Sequence, residues 1–67
     1  MTPLSGKELA KLVESEGWTL LRVNGSHYIY SKPGVNVRLS IPVHGSHKLK
    51  FGLQRHLMKL AGLQVDS

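Results

Sequence analysis

Cysteine is absent from the 67 residues. That removes disulfides, zinc–thiolate sites and thiol nucleophiles together. A secreted domain of this size usually needs such staples, so a reducing, cytoplasmic setting is expected. Long apolar runs are missing too. The opening Met1-Thr2-Pro3-Leu4-Ser5 has no signal-peptide core, and no stretch approaches the roughly 20 apolar residues of a membrane span. A soluble protein with no membrane role is the expectation. Size sets a further bound. A single domain, 1–67, of this length buries only about 60 per cent of its unfolded surface, so it has one thin core. It has no room for a deep cleft, so no small-molecule cofactor is expected, and activity belongs on an open face or in a shallow groove.

Acidic side chains are scarce and unevenly placed. Nine Lys and Arg stand against four Asp and Glu, a formal net charge of +5. Glu8, Glu14 and Glu16 lie near the start, and Asp66 lies at the end. Between Gly17 and Val65 there are seven basic residues (Arg22, Lys32, Arg38, Lys48, Lys50, Arg55, Lys59) and no acid. That placement suits a polyanion, because each phosphate neutralised releases counterions. A merely basic, inert surface would have the same composition.

Five elements follow from the pattern of residues. Ser5-Gly6-Lys7-Glu8 fits a capping box, and Leu4 with Leu9 fits a hydrophobic staple, so a helix starts near residue 5. Leu9, Leu12 and Val13 form its apolar stripe. Gly17 ends it in the left-handed conformation, with Trp18 folding back toward Val13 as core. Lys7 and Lys11 on this helix are expected to pair with Glu8 or Glu14. Trp18–Val23 and Ser26–Ser31 flank Asn24-Gly25, the strongest short hairpin signal. Lys32-Pro33-Gly34 makes a second turn. Val35, Val37, Leu39 and Ile41 then alternate with polar residues, as in a half-buried strand that Pro42 ends. Residues 43–49 read as a loop, and a second helix from about residue 50 or 51 to 61 places Leu53, Leu57 and Leu60 on one face, with Gly62 as its stop. The class is α+β: a two-layer α-β-β-β-α domain resembling the double-stranded-RNA-binding fold, its three-stranded antiparallel sheet carrying both helices on one face.

A two-residue Asn24-Gly25 loop would pair Val23 with Ser26 and Arg22 with His27. That register sets an imidazole directly across from a guanidinium. A longer loop shifts the register, and alternation alone does not choose which face of the strands carries His27.

Gly17-Trp18, Arg22, Gly25-Ser26-His27, Pro42 with His44-Gly45, and the closing Leu57-Met58-Lys59-Leu60-Ala61-Gly62-Leu63 resemble the HicA family of toxin ribonucleases. The likeness covers nearly the whole chain. Its specificity lies in the combination, since a second Gly-Ser-His occurs at 45–47. The resemblance implies cleavage of messenger RNA and neutralisation by a HicB-like antitoxin protein. It also implies that His27 carries catalysis, with Gly25 and Ser26 shaping its position.

The chemistry is consistent with that likeness. RNA supplies its own nucleophile, the 2′-hydroxyl, and an imidazole titrating near neutral pH suits the proton transfers. Arg22, Lys48 and Lys50 are candidates to bind or position RNA and to steady the phosphorane charge. His44 is the candidate second proton-transfer group. His44 and His47 have the spacing of a metal pair, but no third ligand stands at a suitable distance, so a metal-independent reaction is expected. Tyr28 and Tyr30 suit either packing or stacking on unpaired bases. Two other functions fit the same residues: a non-catalytic RNA-binding module, and an inactive subunit that only binds an antitoxin.

Overall fold

A computed structural model describes residues 2–63. The chain runs α1 (Gly6–Ser15), β1 (Thr19–Asn24), β2 (His27–Ser31), β3 (Leu39–Pro42) and α2 (Phe51–Leu60). The strands form one antiparallel sheet in the order β1-β2-β3. Both helices cover one face of it, and the other face is open. The α-β-β-β-α order expected from the residue pattern is the observed one.

Local signals explain both helix ends of α1. The Ser5 hydroxyl accepts from the Glu8 N–H at 3.1 Å, and the Glu8 carboxylate accepts from the Ser5 N–H at 2.8 Å. Together these form the reciprocal capping box. At the other end Gly17 takes φ +98°, the Trp18 N–H reaches the Val13 carbonyl, and the Gly17 N–H reaches that of Glu14. That is a Schellman motif. Gly62 closes α2 in the same way, through the Leu63 and Gly62 N–H groups on Met58 and Lys59.

The core joins Leu9, Ala10 and Val13 of α1 to Tyr30, Leu39 and Ile41 of the sheet, Leu57 and Met58 of α2, and Ala61, the residue that caps α2. Each fully buried aliphatic side chain here stabilises the fold by roughly 1.5–3 kcal/mol. Trp18 is buried as core, and its indole N–H donates to the Ala61 carbonyl at 3.2 Å. Tyr30 is fully buried and donates its hydroxyl to the Glu14 carboxylate, which ties β2 to α1. Burial, and then that carboxylate, raise the Tyr30 pKa, so the group remains a donor.

Three sequence expectations change. The hairpin loop is Gly25-Ser26 rather than Asn24-Gly25, so His27 pairs with Asn24, Val23 with Tyr28, and Arg22 with Ile29. The physical reason lies in the turn. Among the described residues only glycines have positive φ, and Gly25 has +64°. A loop with glycine first needs positive φ at that position alone, whereas Asn24-Gly25 would force Asn24 there as well. A bulge between Leu20 and Arg22 absorbs the changed register.

The third strand is also shorter than its alternating pattern suggested. Leu39 pairs with Tyr30 and Pro42 with His27. With β2 ending at Ser31, residues 35–38 have no strand to pair with, and Val35 and Val37 are exposed.

The buried stripe of α2 is Gln54, Leu57 and Met58, continued by Ala61 at its C-cap, with Leu53 turned partly outward. Gln54 is 1 per cent exposed. Its side chain accepts from the Leu4 N–H at 2.8 Å and donates to the Thr2 carbonyl at 2.7 Å. One amide thus satisfies two backbone groups of the N-terminal segment. Gln54→Ala should cost about 2–3 kcal/mol, because those groups lose their partner near the core. Urea unfolding with an unchanged m-value is the measurement; a midpoint equal to wild type would refute this role for Gln54.

Candidate functional site

The hairpin loop, the start of β2 and the turn after β3 converge at one end of the sheet. His27 opens β2, the central strand, with Asn24 of β1 on one side and Pro42 of β3 on the other. Strand neighbours alternate faces. Tyr28 and Tyr30 point toward the helices, so His27 and Ile29 point to the open face, and His27 is exposed. This settles the face that alternation had left undecided. Arg22 shares that face. It is diagonal to His27 rather than opposite it, a spacing of about 7–8 Å between backbones that a long side chain can span. Asn24 is the residue directly across. Its residue type points only to a turn former, so sequence reasoning misses it here.

The first Gly-Ser-His triplet is held against the second. The Ser26 carbonyl accepts from the Val43 N–H at 2.8 Å. The Ser26 hydroxyl lies 3.4 Å from His44 Nε2, a long contact whose donor depends on the histidine tautomer. His44 begins a tight turn, closed by the His47 N–H on the His44 carbonyl at 3.0 Å, with Gly45 at φ +58°. Both triplets are therefore turns led by a left-handed glycine, and they sit side by side. Ser26 and His44 were candidates for separate reasons; the fold puts them in contact.

Beside this pair lies a shallow depression of 280 Å³, lined by Pro42, His44, His47, Lys48, Lys50 and neighbouring leucines. Lys50 is the N-cap of α2 and makes no side-chain capping bond. The start of the helix thus borders the depression with a cation, and the positive end of its dipole adds to the charge there. Lys48 also reaches the other way. Its ammonium stands 3.1 Å from the Glu8 carboxylate, with both side chains more than half exposed. The Ser5 N–H and then Lys48 hold the Glu8 carboxyl below the ordinary carboxylate range. So exposed a pair is weakly held and leaves Lys48 able to exchange Glu8 for a phosphate. Lys7 and Lys11, expected as the partners of Glu8 or Glu14, do not take that role: Glu8 pairs with Lys48 and Glu14 accepts from Tyr30.

The family model described as the HicA toxin of bacterial toxin–antitoxin matches residues 6–63. The chain belongs to the HicA toxin family. A comparison with curated proteins finds no match. The HicA match begins at the first residue of α1 and ends just beyond α2, so it takes in both Gly-Ser-His turns and the whole sheet. Membership makes this chain a toxin-type domain of a toxin–antitoxin system. Among its described residues no helix is long and apolar enough to cross a membrane, and no three His, Asp or Glu side chains gather as a metal-binding group.

Proposed function

We propose that this HicA-family chain is an endoribonuclease that cleaves messenger RNA in the cytoplasm by metal-independent transesterification, with His27 as the catalytic residue. The observation that carries this reading is the exposed imidazole on the rigid central strand, on the sheet face that no helix covers. His27 takes the proton of a ribose 2′-hydroxyl as that oxygen attacks the adjacent phosphorus. The P–O5′ bond breaks, and the leaving oxygen takes up a proton. The products are a 2′,3′-cyclic phosphate and a 5′-hydroxyl. His44, brought to the same end of the sheet through Ser26, is the second proton-transfer group.

Arg22 on the open face, and Lys48 and Lys50 around the depression, supply positive charge for the phosphorane. Gly25 contributes its backbone conformation: a Cβ there meets nothing within 4 Å, yet φ +64° strains any other residue. Ser26 positions the turn by its two links to the 43–44 segment. A HicB-like antitoxin would neutralise the enzyme by covering His27 and this cationic surface with an acidic patch, so added salt should weaken the inhibition.

An RNA strand carrying a single 2′-deoxy substitution tests the chemistry. Cleavage at that linkage should stop while neighbouring linkages are still cut. Persistent cleavage there, or products ending in a 5′-phosphate, would refute self-attack by the 2′-hydroxyl.

A further inference from the structure

A second hollow lies on the other side of the sheet from His27. It is a groove of 820 Å³ between α1 and the turn after β3, with Lys7, Lys11, Tyr28, Gly45, Ser46 and Lys48 among its walls. Tyr28 is half-buried. It packs on the core and also lines the groove.

Two carboxylates border the groove, but both are engaged internally. Glu8 accepts from the Ser5 N–H and from Lys48, and Glu14 accepts from Tyr30. Among the described residues the only ion pair is Lys48–Glu8. Lys7 and Lys11 stand one helical turn apart, exposed and without an acidic partner. A groove with an aromatic wall and two ammonium groups on its rim that make no ion pair has the two features by which proteins hold single-stranded nucleic acid: a stacking surface for a base and cations for the backbone.

Its position relative to His27 adds to this. Tyr28 follows His27 in the chain, so the two side chains leave opposite faces of the same strand end. The 45–46 turn, whose Gly45 presents no side chain and has open space around it, lines the groove at the same end of the sheet. We propose that the Tyr28 groove is a nucleotide subsite, in which a base flanking the scissile linkage stacks on Tyr28 while Lys7 and Lys11 hold its phosphate. This deepens the ribonuclease reading and rests on it. RNA would bend around the end of the sheet, with the reacting linkage over His27 and the adjoining nucleotide behind it.

The test uses the full chain carrying His27→Ala, so that a fluorescent single-stranded oligoribonucleotide stays intact while binding is measured. Tyr28→Leu keeps the apolar packing and removes the ring; it should weaken binding roughly 5- to 100-fold, whereas Tyr28→Phe should bind as the parent does. The exposed double variant Lys7→Ala/Lys11→Ala should also weaken binding and flatten its salt dependence, by a slope of about 0.7 per lost contact. It decides the matter alone if Tyr28→Leu fails to fold. Unchanged affinity in the folded variants overturns the subsite, as does loss of antitoxin binding with RNA binding intact. Cleavage by the His27-intact chain is scored separately. Binding without cleavage defeats the ribonuclease reading and leaves the groove standing; cleavage with Tyr28 and both lysines dispensable does the reverse.

Discussion

His27→Ala should lower RNA cleavage by about 10²–10⁴-fold, the usual contribution of one well-placed acid–base group. RNA binding should stay largely intact. The stability of the fold should barely change, because the side chain is exposed on the open face and its backbone bonds belong to the ladder with β1 and β3. Induced expression of wild type beside the variant reads the consequence in cells. Wild type should arrest growth and degrade bulk messenger RNA, and the variant should do neither. Equal arrest by a folded His27→Ala protein would move the toxicity away from this imidazole. The same comparison separates an enzyme from a passive RNA binder, which would not need a proton-transfer group beside its hairpin turn.

The largest loss of stability is expected from a change that adds a single methyl group. Gly6 is buried at the first turn of α1, and a Cβ built there would lie 1.9 Å from the Pro42 carbonyl oxygen and 3.0 Å from the Val43 Cα. Both are backbone atoms, so no side chain can swing aside. Gly6→Ala must push α1 away from the end of β3, which also disturbs the capping box and the strand partner of His27. The cost should reach about 3 kcal/mol or more, the upper range of overpacking in a tight core. Helix propensity alone predicts the opposite sign, a gain of up to about 1 kcal/mol. Thermal unfolding of Gly6→Ala therefore separates the two effects by sign: an unchanged or raised Tm would show that α1 can shift freely. A fall should be matched by reduced cleavage, since Ser26 and Pro42 share that corner of the molecule.

The parts of the fold legible in the sequence are those set by short-range chemistry. Ser5 with Glu8, Gly17 before Trp18, and Gly62 after α2 act within a few residues, and each does in the structure what its residue type suggests. The hairpin was legible as a hairpin, but not in its register. Asn-Gly favours a turn one position early, and the outcome depended on a bulge at Leu21 and on burial of Tyr30 by the helices. The length of β3 depended on where β2 ran out of residues. Gln54 stayed hidden because a polar residue beside Leu53 reads as the solvent side of a helix. Its value comes from residues some fifty positions away in the chain, with sequence separations of 50 and 52.

At the site, the residue types at 22, 25–27 and 44 were visible. The contact of Ser26 with His44, the opposition of Asn24 to His27, and the groove behind Tyr28 were not. Each of these arises from chain segments meeting across the sheet, which residue spacing does not encode.

The distant ties of α2 bear on how the chain folds. Gln54 clasps Thr2 and Leu4, and Ala61 receives the Trp18 indole. The Trp18 indole, the Leu4 N–H and the Thr2 carbonyl gain these partners only once α2 is in place. Because contacts of such long sequence separation must form before the core closes, the core is complete only once α2 is in place.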